Sequence, residues 1–150
     1  MQGFNNQFNN NRPRQNNRQQ RPEVEEKYTI KHPIKKEWFV DGADDNLVKF
    51  AEEAGKAMAN AGISSSQIRN IYGEIKRIQM AGFESTKSSF FLLKPKVAYA
   101  YGRDDKKTLK IFKEIFDEAF NYVTDEKSYQ NFCNFMEALL AYHKANGGKK

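Results

Sequence analysis

From Leu47 to Tyr142 the apolar residues recur at steps of three and four, a spacing that suits amphipathic helices and leaves little room for strands. Leu47, Phe50, Ala51, Ala54, Ala57, Met58 and Ala61 mark a first helix from about Asp45 to Ala61, between the caps Asp44 or Asp45 and Gly62. Ser64 followed by Gln67 has the form of a capping box, and Ile68, Ile71, Ile75 and Ile78 then predict a second helix ending near Ala81. A third covers Ser89 to Tyr101, with Pro95 expected to start or kink it and Gly102 to stop it. Asp104 or Asp105 caps a fourth, with Leu109, Phe112, Ile115, Phe116, Ala119, Phe120 and Val123 on one face. The fifth follows Thr124 and Asp125, buries Tyr129, Phe132, Cys133, Phe135, Met136, Leu139, Leu140 and Tyr142, and stops at Gly147 and Gly148. Residues 24–40 predict an extended arm leading into a short helical turn around Trp38. The expected fold class is all-α: a single compact bundle of about five helices, preceded by a disordered tail.

The tail expectation rests on composition. Residues 1–22 are mostly Asn, Gln and Arg, with Phe4 and Phe8 as their only aromatics and no acidic residue. Such a segment cannot bury enough apolar surface to offset its ordering entropy. Arg12, Arg14, Arg18 and Arg21 there supply most of the formal charge of +6, so residues 23–150 are close to balance. Any basic face on that part must come from how its charge is distributed. Residues 23–150 suffice for one domain and rarely for two, and deleting the tail is expected to leave their cooperative unfolding unchanged.

Several function classes find no support. The single cysteine, Cys133, cannot form an internal disulfide and fits a reducing cytoplasm; between Phe132 and Phe135 it reads as a small core residue, not a nucleophile. No apolar run approaches the length that crosses a bilayer, and the tail lacks the features of a signal peptide. His32 and His143 are the only imidazoles, no His and carboxylate spacing resembles a metal site, and no glycine-rich loop follows a strand. The expectation is a protein without catalytic residues, cofactor or metal.

Outside the tail, Arg69, Arg77 and Arg103 are the only arginines, and Lys76, Lys94 and Lys96 accompany them. Arginine is favoured over lysine where a planar fork binds phosphate or carboxylate, and the lysines fall close enough for two neighbouring helices to present all six, so the six are the candidates for binding a phosphate backbone. Arg69, Gly73, Lys76 and Arg77 share a helical stripe opposite the isoleucines, and Gly73 there costs about 1 kcal/mol of helix propensity relative to alanine, as if something approached that backbone. Lys94 and Lys96 flank Pro95, at an expected helix start where free amides favour anions. The bland alternatives are a solvated face with Glu74 as partner of the stripe, and an Arg103 salt bridge to Asp104, Asp105 or a neighbouring helix. Roughly four in five helical aromatics are expected in the core. Tyr99 and Tyr101, two apart, cannot both face it, so one should lie near the basic surface.

Ser-Ser-Ser-Gln-Ile-Arg at 64–69, Ala-Tyr-Ala-Tyr-Gly-Arg at 98–103 and Phe-Cys-Asn-Phe-Met-Glu-Ala-Leu-Leu-Ala-Tyr-His-Lys-Ala-Asn-Gly-Gly at 132–148 resemble the small subunit of the type III-A CRISPR effector, the Csm complex. The resemblance spans roughly Asp44 to the C terminus; the Asn, Gln and Arg tail is unlike the family's core. It implies an all-helical, non-catalytic subunit acting in antiviral defence, stacking with copies of itself along the duplex of crRNA and target RNA. Further implied partners are the repeated backbone subunit, which cuts target RNA, and the large polymerase-like subunit. Arg69 and Arg103 match basic positions of the family blocks, and Lys94 falls where a basic residue commonly occurs. The contrasting reading is a helical adaptor whose basic face docks on an acidic partner protein.

Overall fold

Three of the six helices among the described residues begin where a side chain answers backbone amides that have no partner of their own. In the computed structural model, which describes residue 30 and residues 32–147, a short helix α1 (Glu37–Val40) is followed by α2 (Asp45–Ala61), and the Asp44 carboxylate accepts the Leu47 N–H at 2.9 Å. Gly62, at φ 93°, closes α2 in the left-handed region. Helix α3 (Ser65–Ala81) starts on the expected capping box: Ser64 Oγ accepts the Gln67 N–H, and Gln67 Oε1 accepts the Ser64 N–H. A 3-10 turn (Glu84–Thr86) leads into α4 (Lys87–Gly102), then α5 (Lys110–Phe120) and α6 (Glu126–Ala145). Asp125 caps α6, reciprocated by Ser128, and Gly147 follows its end at φ 84°. Among the described residues there is no strand. The tail and residues 23–29 of the arm lie outside the described residues.

Helix α6 packs against α1, α2 and α3; α4 bridges α3 and α5, and α5 returns to α2. The stripes read from the sequence meet inside this ring, where Ile71, Ile75, Phe112, Phe116, Phe132, Phe135 and Leu139 belong to one core. The turn around Trp38 plugs one end, its indole 5.7 Å from the Phe50 ring and 6.2 Å from that of Phe135. Near the other side, Phe90 stacks on Phe120 at 4.4 Å with the rings almost parallel. Small residues bring α2 and α6 unusually close. A Cβ on Gly55 would lie 2.6 Å from the His143 amide nitrogen and from Tyr142 backbone, so only glycine permits the approach.

Three local expectations need correction. Pro95 does not start α4 but sits within it, eight positions past Lys87, which leaves only the other expected role, a kink. The Phe91 carbonyl thereby loses its helical donor, and the helix tolerates this because Phe91 and Pro95 both face solvent. Helix α4 does end at Gly102 as expected, though without a left-handed conformation there; Lys107 takes that conformation, at φ 55°, and donates from Nζ to the Tyr101 and Gly102 carbonyls at 3.1 Å. Finally, α5 starts later than expected and carries no side-chain cap, since Asp104 accepts from the Leu109 N–H at 2.8 Å and the Thr108 hydroxyl at 2.9 Å across the preceding loop. Leu140 and Tyr142, expected in the core, are half-buried.

Candidate nucleic-acid interface

Helices α3 and α4 lie side by side and leave between them a groove of about 1020 Å³ lined by Asn70, Glu74, Lys96, Tyr99 and Arg103, among others. Its far end is held by a hydrogen-bond chain running from Ser64 N–H to Gln67, from Gln67 Nε2 to Thr108 Oγ1 at 3.3 Å, and from that hydroxyl to Asp104. That chain draws together the 64–69 and 98–103 segments, which are far apart in sequence.

The six candidate cations do not share one patch. Arg69 and Arg77 are exposed on the outward crest of α3 with Gly73 between them, and Lys76 is half-buried beside them. Arg69 also borders a second groove of about 370 Å³ against α6, lined by Tyr72, Glu137 and Leu140. Lys96 and Arg103 stand across the α3/α4 groove. Lys94 points the other way, its Nζ 5.4 Å from the Phe120 ring centroid on the α5 side. Because Pro95 is inside α4, the unpaired amides expected beside Lys94 and Lys96 are not there.

Their partners differ as well. Arg77 realises the bland reading, donating to both Glu74 carboxylate oxygens at 2.8 and 3.0 Å and to Ser89 Oγ at 3.0 Å. This bond holds the Glu74 carboxyl below its ordinary value. Arg69, Lys76, Lys94, Lys96 and Arg103 have no carboxylate within ion-pair distance among the described residues. Instead of bridging Asp104 or Asp105, Arg103 places its guanidinium 5.7 Å from the Tyr99 ring centroid. Tyr99 is the member of the tyrosine pair at the basic surface, 68% exposed, while Tyr101 packs against the core edge near Lys107 and Lys113.

The remaining polar groups are structural. His143 is buried, with Nε2 2.8 Å from the Ile63 carbonyl, an acceptor only, so that nitrogen carries a proton. Cys133 is buried and its thiol is pushed up to about 11, chiefly by burial, which keeps it protonated. No group of three His, Cys, Asp or Glu side chains among the described residues has the geometry to hold a metal ion. No helix of the described residues is long and apolar enough to cross a membrane.

A family profile described as Csm2 Type III-A matches residues 42–149, from just after α1 through α6. The chain belongs to the Csm2 type III-A family. It is also similar to a curated protein of Streptococcus thermophilus named CRISPR system Cms protein Csm2, at 30% identity over 115 residues, covering 71% of this chain and 95% of that protein. No solved structure matches the chain. The sequence reading missed the exposed Phe91 and Leu92 on α4. Their signal was present in the stretch from Ser85 to Arg103, which contains no acidic residue and places apolar side chains on every side of the helix.

Proposed function

We propose that this small subunit of a type III-A CRISPR complex binds the phosphate backbone of crRNA and target RNA in the cytoplasm, through the α3 crest and the α3/α4 groove, without catalysing a reaction itself. One observation carries the reading: Arg69, Lys76, Lys96 and Arg103 stand on or beside adjoining helices with no carboxylate partner among the described residues. Solvated surface cations are common, and what these four add is their grouping on adjoining helices, where their donors stay available for charge-assisted bonds to phosphate. Lys94 belongs to the set as a contact on the opposite flank of α4. Backbone contacts position a strand without reading it, so specificity falls to base pairing with the guide. Membership of the family supports the wider assembly, with the repeated backbone subunit, the large subunit and further copies of this chain as neighbours.

The test is RNA binding by Arg69→Ala, Arg77→Ala and Arg103→Ala over a series of salt concentrations and several unrelated sequences. Arg69→Ala and Arg103→Ala are each expected to weaken binding by roughly tenfold for every sequence and to reduce the salt slope by about one, and Arg77→Ala, whose guanidinium is held by Glu74, to do so by less. Arg69→Lys should fall between alanine and wild type, because it restores the charge and not the fork. Unchanged RNA affinity with a lower melting temperature would mean the cations serve the fold, leaving the acidic-partner adaptor as the better account.

A further inference from the structure

Helix α4 presents several large apolar side chains outward as well as inward, where α2 and α3 each expose one, Val48 and Met80. Phe90, Leu93 and Val97 enter the core, while Phe91, Leu92 and Tyr99 are 59%, 56% and 68% exposed. Leu92, Pro95 and Tyr99, spaced by three and four, form one exposed strip that makes the α4 wall of the α3/α4 groove. Lys96 and Arg103 line the groove beside it, and Lys94 lies on the α5 side. Arg77 stands nearby, held to Ser89 of the same helix. The nearest acids are engaged or peripheral: Glu74 is paired with Arg77, Asp104 accepts from Leu109 and Thr108, and Asp105 lies with Asp104 at the end of the groove.

A partner matched to this surface carries negative charge at intervals and flat apolar faces between the charges. Duplex RNA offers phosphates but hides its base faces in the stack, and an acidic helix offers a flat face only where an aromatic residue falls among its acids. Single-stranded RNA has both. Resting on the RNA-binding reading above, we propose that the α4 strip is a stacking platform for an unpaired nucleobase. Tyr99 offers one ring face to the base while Arg103 lies over the other, Leu92 and Pro95 extend the apolar floor, and Arg103 and Lys96 receive the flanking phosphates. The contact is tolerant of sequence, since every base has a π-face.

The test compares full-length wild type with Tyr99→Phe, Tyr99→Ala, Tyr99→Leu and Arg103→Ala, using a labelled single-stranded RNA, the same RNA with abasic sites, and a blunt duplex. Tyr99→Ala is expected to weaken single-strand binding by about five- to a hundredfold with an unchanged salt slope, because no phosphate contact is lost. Tyr99→Phe should bind as wild type, Tyr99→Leu should recover only part, and duplex affinity should not move. Wild type on abasic RNA should bind as weakly as Tyr99→Ala on intact RNA. Wild-type affinity of Tyr99→Ala, alongside a loss for Arg103→Ala, overturns the platform and leaves phosphate binding standing. Absence of salt-dependent RNA binding by wild type overturns both. If Tyr99→Ala changes only self-association in sedimentation, the strip is a protein interface and the proposal fails.

Discussion

At the scale of single residues the core contains one polar commitment that spans helices. The Tyr129 hydroxyl is buried and donates to the Ile75 carbonyl of α3 at 2.7 Å, and burial raises its pKa. The hydrogen bond joins α6 to α3 beside a second, half-buried one from Gln79 Nε2 to Gln130 Oε1 at 2.9 Å. Tyr129→Phe preserves the ring, which stacks against Phe83 at 5.2 Å, and removes only the donor. It is expected to lower unfolding stability by about 1 kcal/mol in chemical denaturation, with the slope unchanged. A loss several times larger would show that the ring itself had moved. The six candidate cations are ordinary side chains by identity, and what sets them apart is the company they keep. Arg77 has a carboxylate, whereas Arg69 and Arg103 have none among the described residues.

At the scale of elements, two glycines inside helices make opposite demands. Gly55 on α2 faces α6 backbone at 2.6 Å from an added Cβ, and neither backbone can yield cheaply. Gly55→Ala should therefore destabilise by about 1 to 3 kcal/mol through overpacking, despite alanine's better helix propensity. Gly73 on α3 meets nothing within 4 Å, so no other helix among the described residues accounts for it. Gly73→Ala should stabilise by up to about 1 kcal/mol, as propensity alone dictates. If an RNA strand approaches the crest there, the same substitution weakens RNA binding while raising the melting temperature. That combination is measurable on one variant and has no explanation in folding alone.

For the whole molecule, acid stability depends on three carboxylates that the fold holds in the ionised form. Asp125 is kept low by the Ser128 N–H and hydroxyl at 2.9 and 2.8 Å. Burial pushes the Asp104 carboxyl up, but the Leu109 and Thr108 donors outweigh it and the net direction is down. Glu74 is lowered by Arg77. A carboxyl whose folded pKa lies below its unfolded value contributes fully above the unfolded value, near pH 4 to 5, and the contribution disappears as pH falls through the folded one. These three groups should therefore leave the urea midpoint level down to about pH 5 and lower it progressively below about pH 4. Asp104→Asn, which removes one titrating group from the junction of α3, α4 and α5, should make that acid limb shallower. An acid limb as steep as that of wild type would remove Asp104 from the account.

Helix boundaries set by local chemistry were legible in the sequence. Asp45 to Ala61, the Ser64–Gln67 box and the Asp125 start of α6 depend on side chains reaching backbone three residues away and on glycine after the last turn. The isoleucine and phenylalanine stripes likewise named much of the core, because period and apolarity together decide which face is withdrawn from water. Pro95 was misplaced because the local rule assumes a buried or continuous hydrogen-bond ladder, whereas solvent on that side of α4 can satisfy the Phe91 carbonyl. The division of the cations was decided only in three dimensions. A helix presents side chains all round, and the rotations of α3 and α4 against their neighbours turned Lys96 and Arg103 into the groove, Lys94 toward Phe120, and Arg69 and Arg77 outward. Tyr99 became a surface residue for the same reason: Val97 and Leu93 had already taken the inward face of α4, and two residues further along the helix the chain points away from the core.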